Sequence, residues 1–266
     1  MSKFDEYEYL QSLSEFYDLV PLYSGRQDKQ FYLDFCLSRG GKVLELGCGT
    51  GRVLLPIASA GLNIVGLDLS EHMLSKCKEK IAVQPQEIQD RIHLIQGSMT
   101  DFQLEDTFTT VIIPFRPFQH LFSVDDQLSC LHCVNQHLET DGLLAFDCFQ
   151  VSFQKITDPQ RFEESEDMPE TELPDGRKIR RFSRFAAIHP AEQYNDIEII
   201  YYLTDTNGKT ERQVNGFPMR YFFRYEVEHL LARARFEVME LYGDYDKSPL
   251  VDESPEMIFV AKKVPE

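Results

Sequence analysis

Along residues 42–150, short apolar runs alternate with stretches whose apolar positions recur every three or four residues. Residues 42–46, 63–67, 92–96, 109–113 and 143–148 are nearly continuous apolar runs, the pattern of strands buried on both faces. Between them, residues 51–60, 70–80 and 125–138 read as helices. Gly61 ends the first of these, and Ser70 is placed to cap the second with Glu71 in its first turn. Pro56 lies inside the first crossover helix, removes a backbone donor and predicts a bent or loosened turn. Strands and helices in alternation predict an α/β fold, a mostly parallel, doubly wound sheet covered on both faces. The first forty residues read as helical, with Leu10, Leu13, Phe16 and Tyr17 near helical spacing and a second helical stretch at 28–38.

After residue 149 the pattern changes. Residues 151–174 are polar, acidic and proline-bearing, and read as a loop with a short helix. Three β-rich runs follow, 178–188, 193–203 and 210–222, and Asn207-Gly208 between the last two is a hairpin signal. They predict an antiparallel addition to the main sheet. Residues 225–235 return to helix, and 236–242 and 257–262 to strand. The expected organisation is a helical lid over 1–40, a cofactor-binding α/β core over 41–150, an inserted β-rich substrate cap over 151–224, and the rest of the core over 225–266.

Composition narrows the function. The chain has 266 residues, enough for one large domain, and a formal net charge of −17. That charge repels phosphate backbones and argues against a nucleic-acid partner. The basic run Arg177-Lys178-Ile179-Arg180-Arg181 reads as a solvated strand or turn. No run of about 18 apolar residues exists, and the N-terminus is acidic with no positive region ahead of an apolar stretch. Neither a membrane span nor a secretory signal is expected, and a cytoplasmic location follows as the default. The six cysteines are irregularly spaced and expected as free thiols. Cys130 and Cys133, with His137 nearby, have half of a zinc site's ligands; on a helix they sit at i and i+3, the spacing of ordinary packing, and no metal is expected.

The chemistry concentrates in Glu45-Leu46-Gly47-Cys48-Gly49-Thr50-Gly51, where an apolar strand enters a glycine-rich turn and then a helix. Such a turn lets a ligand lie at the strand's carboxyl end beside the helix N-terminus. About twenty residues on, Asp68 ends the second strand, where an acid can accept both hydroxyls of an adenosine ribose. The spacing is GxGxG rather than the GxGxxG of a dinucleotide site. A carboxylate at Glu45 would repel a pyrophosphate but can face a cationic amino-acid tail.

Residues 44–52 resemble motif I of the class I S-adenosylmethionine-dependent methyltransferases. Gly66-Leu67-Asp68-Leu69-Ser70-Glu71-His72-Met73-Leu74 is similar to the family's GxDxSxxML segment, and Gln96-Gly97-Ser98-Met99-Thr100-Asp101-Phe102 to its GDMxDF turn. The resemblance covers roughly residues 40–150 with the terminal helix and strands. It implies a seven-stranded sheet with one antiparallel strand, and a small-molecule type of enzyme. It also implies that Glu45 and the turn at Gly47, Cys48, Gly49 and Gly51 hold the methionine part of the cofactor. Asp68 would bind the ribose, Leu69 and Met73 pack near the adenine, and the Met99 backbone meet the adenine edge. The family often has Asp where Ser98 stands; a serine can still hydrogen-bond the adenine amino group. Met73 reads equally as core packing. Residues 17–23 resemble a "YD…Y" element that covers the cofactor, which implies Tyr17 and Tyr23 against the sulfonium or methionine tail and Arg26 near its carboxylate. The same aromatics read equally as core.

The fourth strand runs into Pro114-Phe115-Arg116-Pro117-Phe118-Gln119-His120, at the sheet edge that faces the ligand crevice. It resembles the family's motif IV region without matching the Asn/Asp-Pro-Pro-aromatic signature of DNA amino-methyltransferases. Pro114 would border the cofactor. His120 is a candidate general base or a structural histidine at a helix start. Arg116 is a candidate for a substrate carboxylate or for an ion pair. Arg180, Tyr202, Arg220, Tyr221 and Phe223 of the insertion are expected to roof the acceptor pocket. The acceptor would be a small molecule or short peptide methylated on nitrogen or oxygen, an amine slightly favoured, with S-adenosylhomocysteine as product. A nicotinamide oxidoreductase on a Rossmann fold and a cofactor-binding partner protein without catalysis stand as the other readings. The sequence does not define an oligomeric state.

Overall fold

The apolar runs of the main segment pair into one seven-stranded sheet. In the computed structural model, which describes residues 17–18 and 26–264, β1 (Val43–Leu46), β2 (Ile64–Asp68), β3 (Ile92–Gln96), β4 (Phe108–Ile113) and β5 (Leu138–Phe149) run parallel. The chain then forms β6 (Ser165–Glu172), β7 (Lys178–His189), β8 (Tyr194–Thr204) and β9 (Thr210–Arg220), and returns with β10 (Phe236–Tyr242) and β11 (Glu256–Lys263). The order of the main sheet is β10-β11-β5-β4-β1-β2-β3, with β11 antiparallel to both neighbours. This is the expected seven-stranded, mostly parallel fold. The helices that cover it are α1 (Asp28–Arg39), α2 (Leu54–Ser59), α3 (Glu71–Ala82), α4 (Val124–His137) and α5 (Arg224–Arg233).

Side chains alternate across a strand, and the alternation sorts the core into two layers. Leu44, Leu46, Ile113, Leu144 and Phe146 face a layer with Leu131 and Val134 of α4 and Leu230 and Leu231 of α5. Val43, Ile112 and Ala145 face the other, with Phe31, Tyr32 and Phe35 of α1, Leu54 and Ile57 of α2, and Leu74 of α3. The same alternation turns Glu45 and Asp147 toward the α1 side, and both are buried.

Ser70 caps α3 as expected, its hydroxyl accepting from the Met73 N–H at 3.3 Å. The first crossover helix is shorter than its pattern, because residues 51–53 form a turn. Pro56 is therefore the third residue of α2, where an N–H has no intrahelical acceptor, and the helix tolerates it.

The structure divides into two compact units: Gln27–Val151 with the residues from Phe222 on, and Ser152–Tyr221 with the described residues up to Arg26. Helix α1, expected with the lid, belongs to the α/β unit. The inserted strands do not extend the main sheet. They form a separate antiparallel sheet, order β6-β7-β8-β9, because each pairs with its sequence neighbour through a short connection. Its apolar face gathers Met168, Leu173, Ile179, Ile199, Tyr201 and Leu203.

The strand β6 lies in the segment read as loop. Its acidic side chains meet the basic run on β7: Lys178 pairs with Glu170 at 2.8 Å, Arg180 with Glu166 at 2.9 Å and Arg181 with Asp167 at 3.1 Å. Charge complementarity thus holds a strand whose composition argues against one. Pro169 is tolerated because β6 is an edge strand whose register shifts on either side of Met168.

Cys130 lies in the core and Cys133 packs against it, half-buried. All six cysteines are free and Cys130 is buried. Among the described residues no group of three or more His, Cys, Asp or Glu side chains is arranged to hold an ion. His137 is held by backbone: Nδ1 lies 2.7 Å from the Cys133 carbonyl, and Nε2 accepts from the Leu104 N–H at 2.9 Å. It also packs on Phe102, ring centroids 4.7 Å apart. His137→Ala should cost about 2–4 kcal/mol of stability, lost bonds and lost packing together. Urea unfolding checks this, with added zinc expected to leave the midpoint unchanged.

Candidate functional site

The strand β1 ends in a turn whose three glycines each have left-handed backbone, with φ of 70° at Gly47, 53° at Gly49 and 80° at Gly51. The Leu67 carbonyl of β2 ties the turn down, taking the N–H of Gly47 at 2.8 Å and of Cys48 at 3.1 Å. The glycines then differ in what surrounds them. A Cβ on Gly51 would lie 2.6 Å from the Cys77 sulfur of α3, and one on Gly47 would lie 2.6 Å from Pro117, with the Met99 methyl 3.9 Å away. These two glycines let α3, the loop after β3 and the loop after β4 close on the turn. A Cβ on Gly49 would meet nothing within 4 Å, so this glycine borders open space at the carboxyl end of the strands.

Two carboxylates, Glu45 and Asp68, stand at the ends of the paired strands that lead to the turn. Asp68 accepts from the Gly49 N–H at 2.7 Å through Oδ2 and from the Ser70 N–H at 2.8 Å through Oδ1. Burial pushes its pKa up, and the two backbone donors oppose the shift. Glu45 is 2% exposed, and its Oε2 has no hydrogen-bond partner. Burial raises its pKa well above the usual carboxylate range; Arg52 lowers it, while Asp68 and Asp28 raise it further. Arg52 is the cation of the group. Its two terminal nitrogens each meet an oxygen of the fully buried Asp28 at 2.7 Å, and it lies 5.2 Å from the Phe115 ring centroid.

The other predicted residues fall around this frame. The Gly97 N–H donates to the Asp68 carbonyl at 3.0 Å, which ties the loop after β3 to the end of β2. Beside that tie, Leu69 is exposed and Met73 half-buried, on the first turn of α3. Ser98 spends its hydroxyl on Thr100, 2.7 Å from Oγ1 and accepting the Thr100 N–H at 3.2 Å. Met99 is half-buried against the core; Cys48 and Pro114 are buried. Tyr17 and Arg26 are half-buried and belong to the other unit, and Tyr23 lies outside the described residues. The unit with β6–β9 also holds Arg180, Tyr202, Arg220 and Tyr221, whereas Phe223 caps α5 in the α/β unit.

The loop after β4 has two consecutive non-glycine residues in the left-handed region, Phe115 at φ 68° and Arg116 at φ 70°. Such strain persists only where neighbours enforce it. Asp147 does so: its Oδ1 accepts from the Phe115 N–H at 2.9 Å and from the Tyr32 hydroxyl at 2.5 Å. Arg116 is buried in an ion pair with Glu256 and lies 3.4 Å from the Phe149 ring centroid. Its Nε and one terminal nitrogen are thus engaged within the fold, which is the ion-pair alternative. His120 closes the short 3-10 turn Pro117–His120. Burial lowers its pKa to about 4, so the imidazole is neutral at pH 7 and a weak base.

Sequence reasoning missed Asp28, Arg52, Tyr32, Asp147 and Glu256. The one legible signal was a charge inside an apolar pattern, as at Asp147 in Leu143-Leu144-Ala145-Phe146-Asp147-Cys148. The residues present suit a ligand that brings a cation toward Glu45 and a diol toward Asp68, with room over Gly49.

Residues 43–142 match the family model of a methyltransferase domain. The chain is similar to the glycine/sarcosine N-methyltransferase of Aphanothece halophytica, 24% identical over 261 residues that cover 96% of this chain and 90% of that one. It is similar as well to the cypemycin N-terminal methyltransferase of a Streptomyces species, 24% identical with 84% of each chain covered. Among solved structures, the sugar N-methyltransferase KedS8 from Streptoalloteichus superposes with a TM-score of 0.71 at 21% identity, covering 94% of this chain and 93% of that one. The methyltransferase match is not that of a nicotinamide oxidoreductase.

Two predictions concern the site itself. Glu45 has a raised folded-state pKa, so the folded protein holds a proton that the unfolded chain loses above about pH 4.3. Stability is therefore lost as pH rises from that value toward the folded pKa. Glu45→Gln should raise the thermal midpoint of the ligand-free protein at about pH 8 and leave it nearly unchanged at about pH 4. Second, Gly49→Ala should cost about 1–2 kcal/mol through its backbone alone. Gly51→Ala adds overpacking against Cys77, worth about 1–3 kcal/mol more. Denaturant titration of the pair checks the order.

Proposed function

We propose that this class I S-adenosylmethionine-dependent methyltransferase transfers its methyl group to an amine nitrogen of a small molecule or short peptide. The observation that carries the cofactor part is the group Glu45, Gly49 and Asp68: an unpartnered buried carboxylate oxygen, an open left-handed glycine, and an acid at the end of β2. S-adenosylmethionine brings a sulfonium-activated methyl, which an amine lone pair displaces in line as the C–S electron pair returns to sulfur.

Glu45 receives the α-ammonium of the amino-acid tail, and the Gly47–Gly49 backbone lies along it. Asp68 exchanges its backbone donors for the two ribose hydroxyls, with Leu69, Met73 and Met99 beside the adenine. Ser98 bonds to Thr100 and must give up that bond to reach an adenine amino group. The acidic surroundings favour a cationic donor over a pyrophosphate.

The nitrogen preference rests on the names of the similar proteins: glycine or sarcosine, a peptide N-terminus and an amino sugar are all amines. The geometry agrees in one respect. A neutral His120 can accept a hydrogen bond from an amine N–H and so orient its lone pair, while a pKa near 4 makes it a poor base for an alcohol. Alignment by the fixed loop at Phe115–His120, together with exclusion of water, then supplies most of the rate.

Two measurements test this. Calorimetry should show micromolar binding of S-adenosylhomocysteine, weakened about 10- to 100-fold by Asp68→Ala, which removes hydrogen bonds to a charged acceptor. No binding to the wild type contradicts the proposal. Methyl transfer to a panel of small amines, phenols and carboxylates should find amines. His120→Ala should lower kcat without changing cofactor affinity, and kcat/KM should show no histidine inflection between about pH 6 and pH 8.

A further inference from the structure

The α1 side of the β1 end holds an unbalanced set of charges. The acids are Glu45 on β1, Asp68 at the end of β2 and Asp28 on α1; the cation that moderates Glu45 is Arg52. Among the described residues, the other titratable groups that Glu45 acts on are the buried thiols of Cys36 on α1 and Cys48 in the turn. Each acid but one has donors. Asp28 takes both terminal nitrogens of Arg52 at 2.7 Å and the Lys29 N–H at 2.7 Å. Asp68 takes the Gly49 and Ser70 N–H groups at 2.7 and 2.8 Å. Glu45 is 2% exposed, beside a fully buried Asp28 and a half-buried Asp68, and its Oε2 has none. A buried carboxylate without donors, beside two others, is far costlier ionised than neutral.

We propose that Glu45 is a proton-coupled counter-ion: it carries a proton in the ligand-free site and releases it to solvent when the cofactor's α-ammonium docks against it. This rests on the cofactor reading above. On docking, the carboxyl O–H bond breaks, the proton leaves to buffer, and the remaining carboxylate pairs with the ammonium. Cofactor affinity therefore rises with pH through the neutral range, by at most tenfold per pH unit. It levels off once Glu45 is ionised in the free protein, or when the ligand's own amine begins to lose its proton.

The test is isothermal titration calorimetry of the full chain with S-adenosylhomocysteine at about pH 7, in buffers that differ in ionisation enthalpy, such as phosphate and Tris. The slope of observed against buffer enthalpy counts protons. The expected result is release approaching one proton per ligand bound, and a slope near zero for Glu45→Gln, with weaker but pH-independent binding. If Glu45→Gln binds too weakly to titrate, Asp28→Asn serves. It removes one of the negative charges that hold the Glu45 proton in place, so proton release should fall while binding persists. Binding without proton exchange in the wild type overturns the inference and leaves the cofactor reading intact. Undiminished release from Glu45→Gln, or from Asp28→Asn where it serves, also overturns it, because the proton then comes from the ligand's amine or another group. Absence of any binding overturns the cofactor reading itself.

Discussion

Burial on the α1 side of the main sheet removes the water that would solvate Glu45 and Asp147, and alternation along β1 and β5 leaves them nowhere else to point. The surrounding elements are arranged to meet that constraint. Helix α1 brings Asp28 and Tyr32, and the turn after β1 brings Arg52. The loop after β4 adopts two left-handed residues so that the Phe115 N–H reaches Asp147. Each of the two acids keeps a buried oxygen without a hydrogen-bond donor, Oε2 of Glu45 and Oδ2 of Asp147, but Asp147 has two donors on its other oxygen and Arg116 3.9 Å from Oδ2. Glu45 is the less satisfied of the two, near the end of β1 where the glycine turn begins.

Much of the fold was legible because it rests on local signals. Short apolar runs set β1 to β5, and Ser70 set the start of α3. The antiparallel place of β11 came instead from the family resemblance. What local signals could not show were interactions between distant residues. The Asp28–Arg52 pair spans 24 positions and the Tyr32–Asp147 bond spans 115, and neither partner has a neighbour pattern that names the other. The strand β6 was hidden for the same reason. Its acidic composition reads as loop until the basic β7 is set beside it. The inserted strands looked like an extension of the main sheet because hairpin signals say which strands pair in sequence, not which sheet they join.

At the site, Glu45, the glycine turn and Asp68 were legible because a strand–turn–helix–strand unit fixes their relation within a short stretch of chain. Gly47 and Gly51 had a further reason, visible only in the fold: Pro117 and Cys77 occupy the space their side chains would need. Arg116 illustrates the opposite case. Its place in an acceptor loop left a substrate carboxylate and an ion pair both open, and it is the fold that pairs it with Glu256, 140 residues on. On the proposed function, the residues that bind the donor belong to one compact local unit, while the acceptor is read by parts of the chain whose sequence pattern says little about chemistry.

The central claim is that the donor lies between Glu45, Gly49 and Asp68. A crystal structure with S-adenosylhomocysteine tests it most directly. The account predicts both ribose hydroxyls on the Asp68 carboxylate, the α-ammonium against Glu45, and the chain of the ligand passing over Gly49. A ligand whose ribose sits away from Asp68, or whose ammonium pairs with another acid, would contradict it.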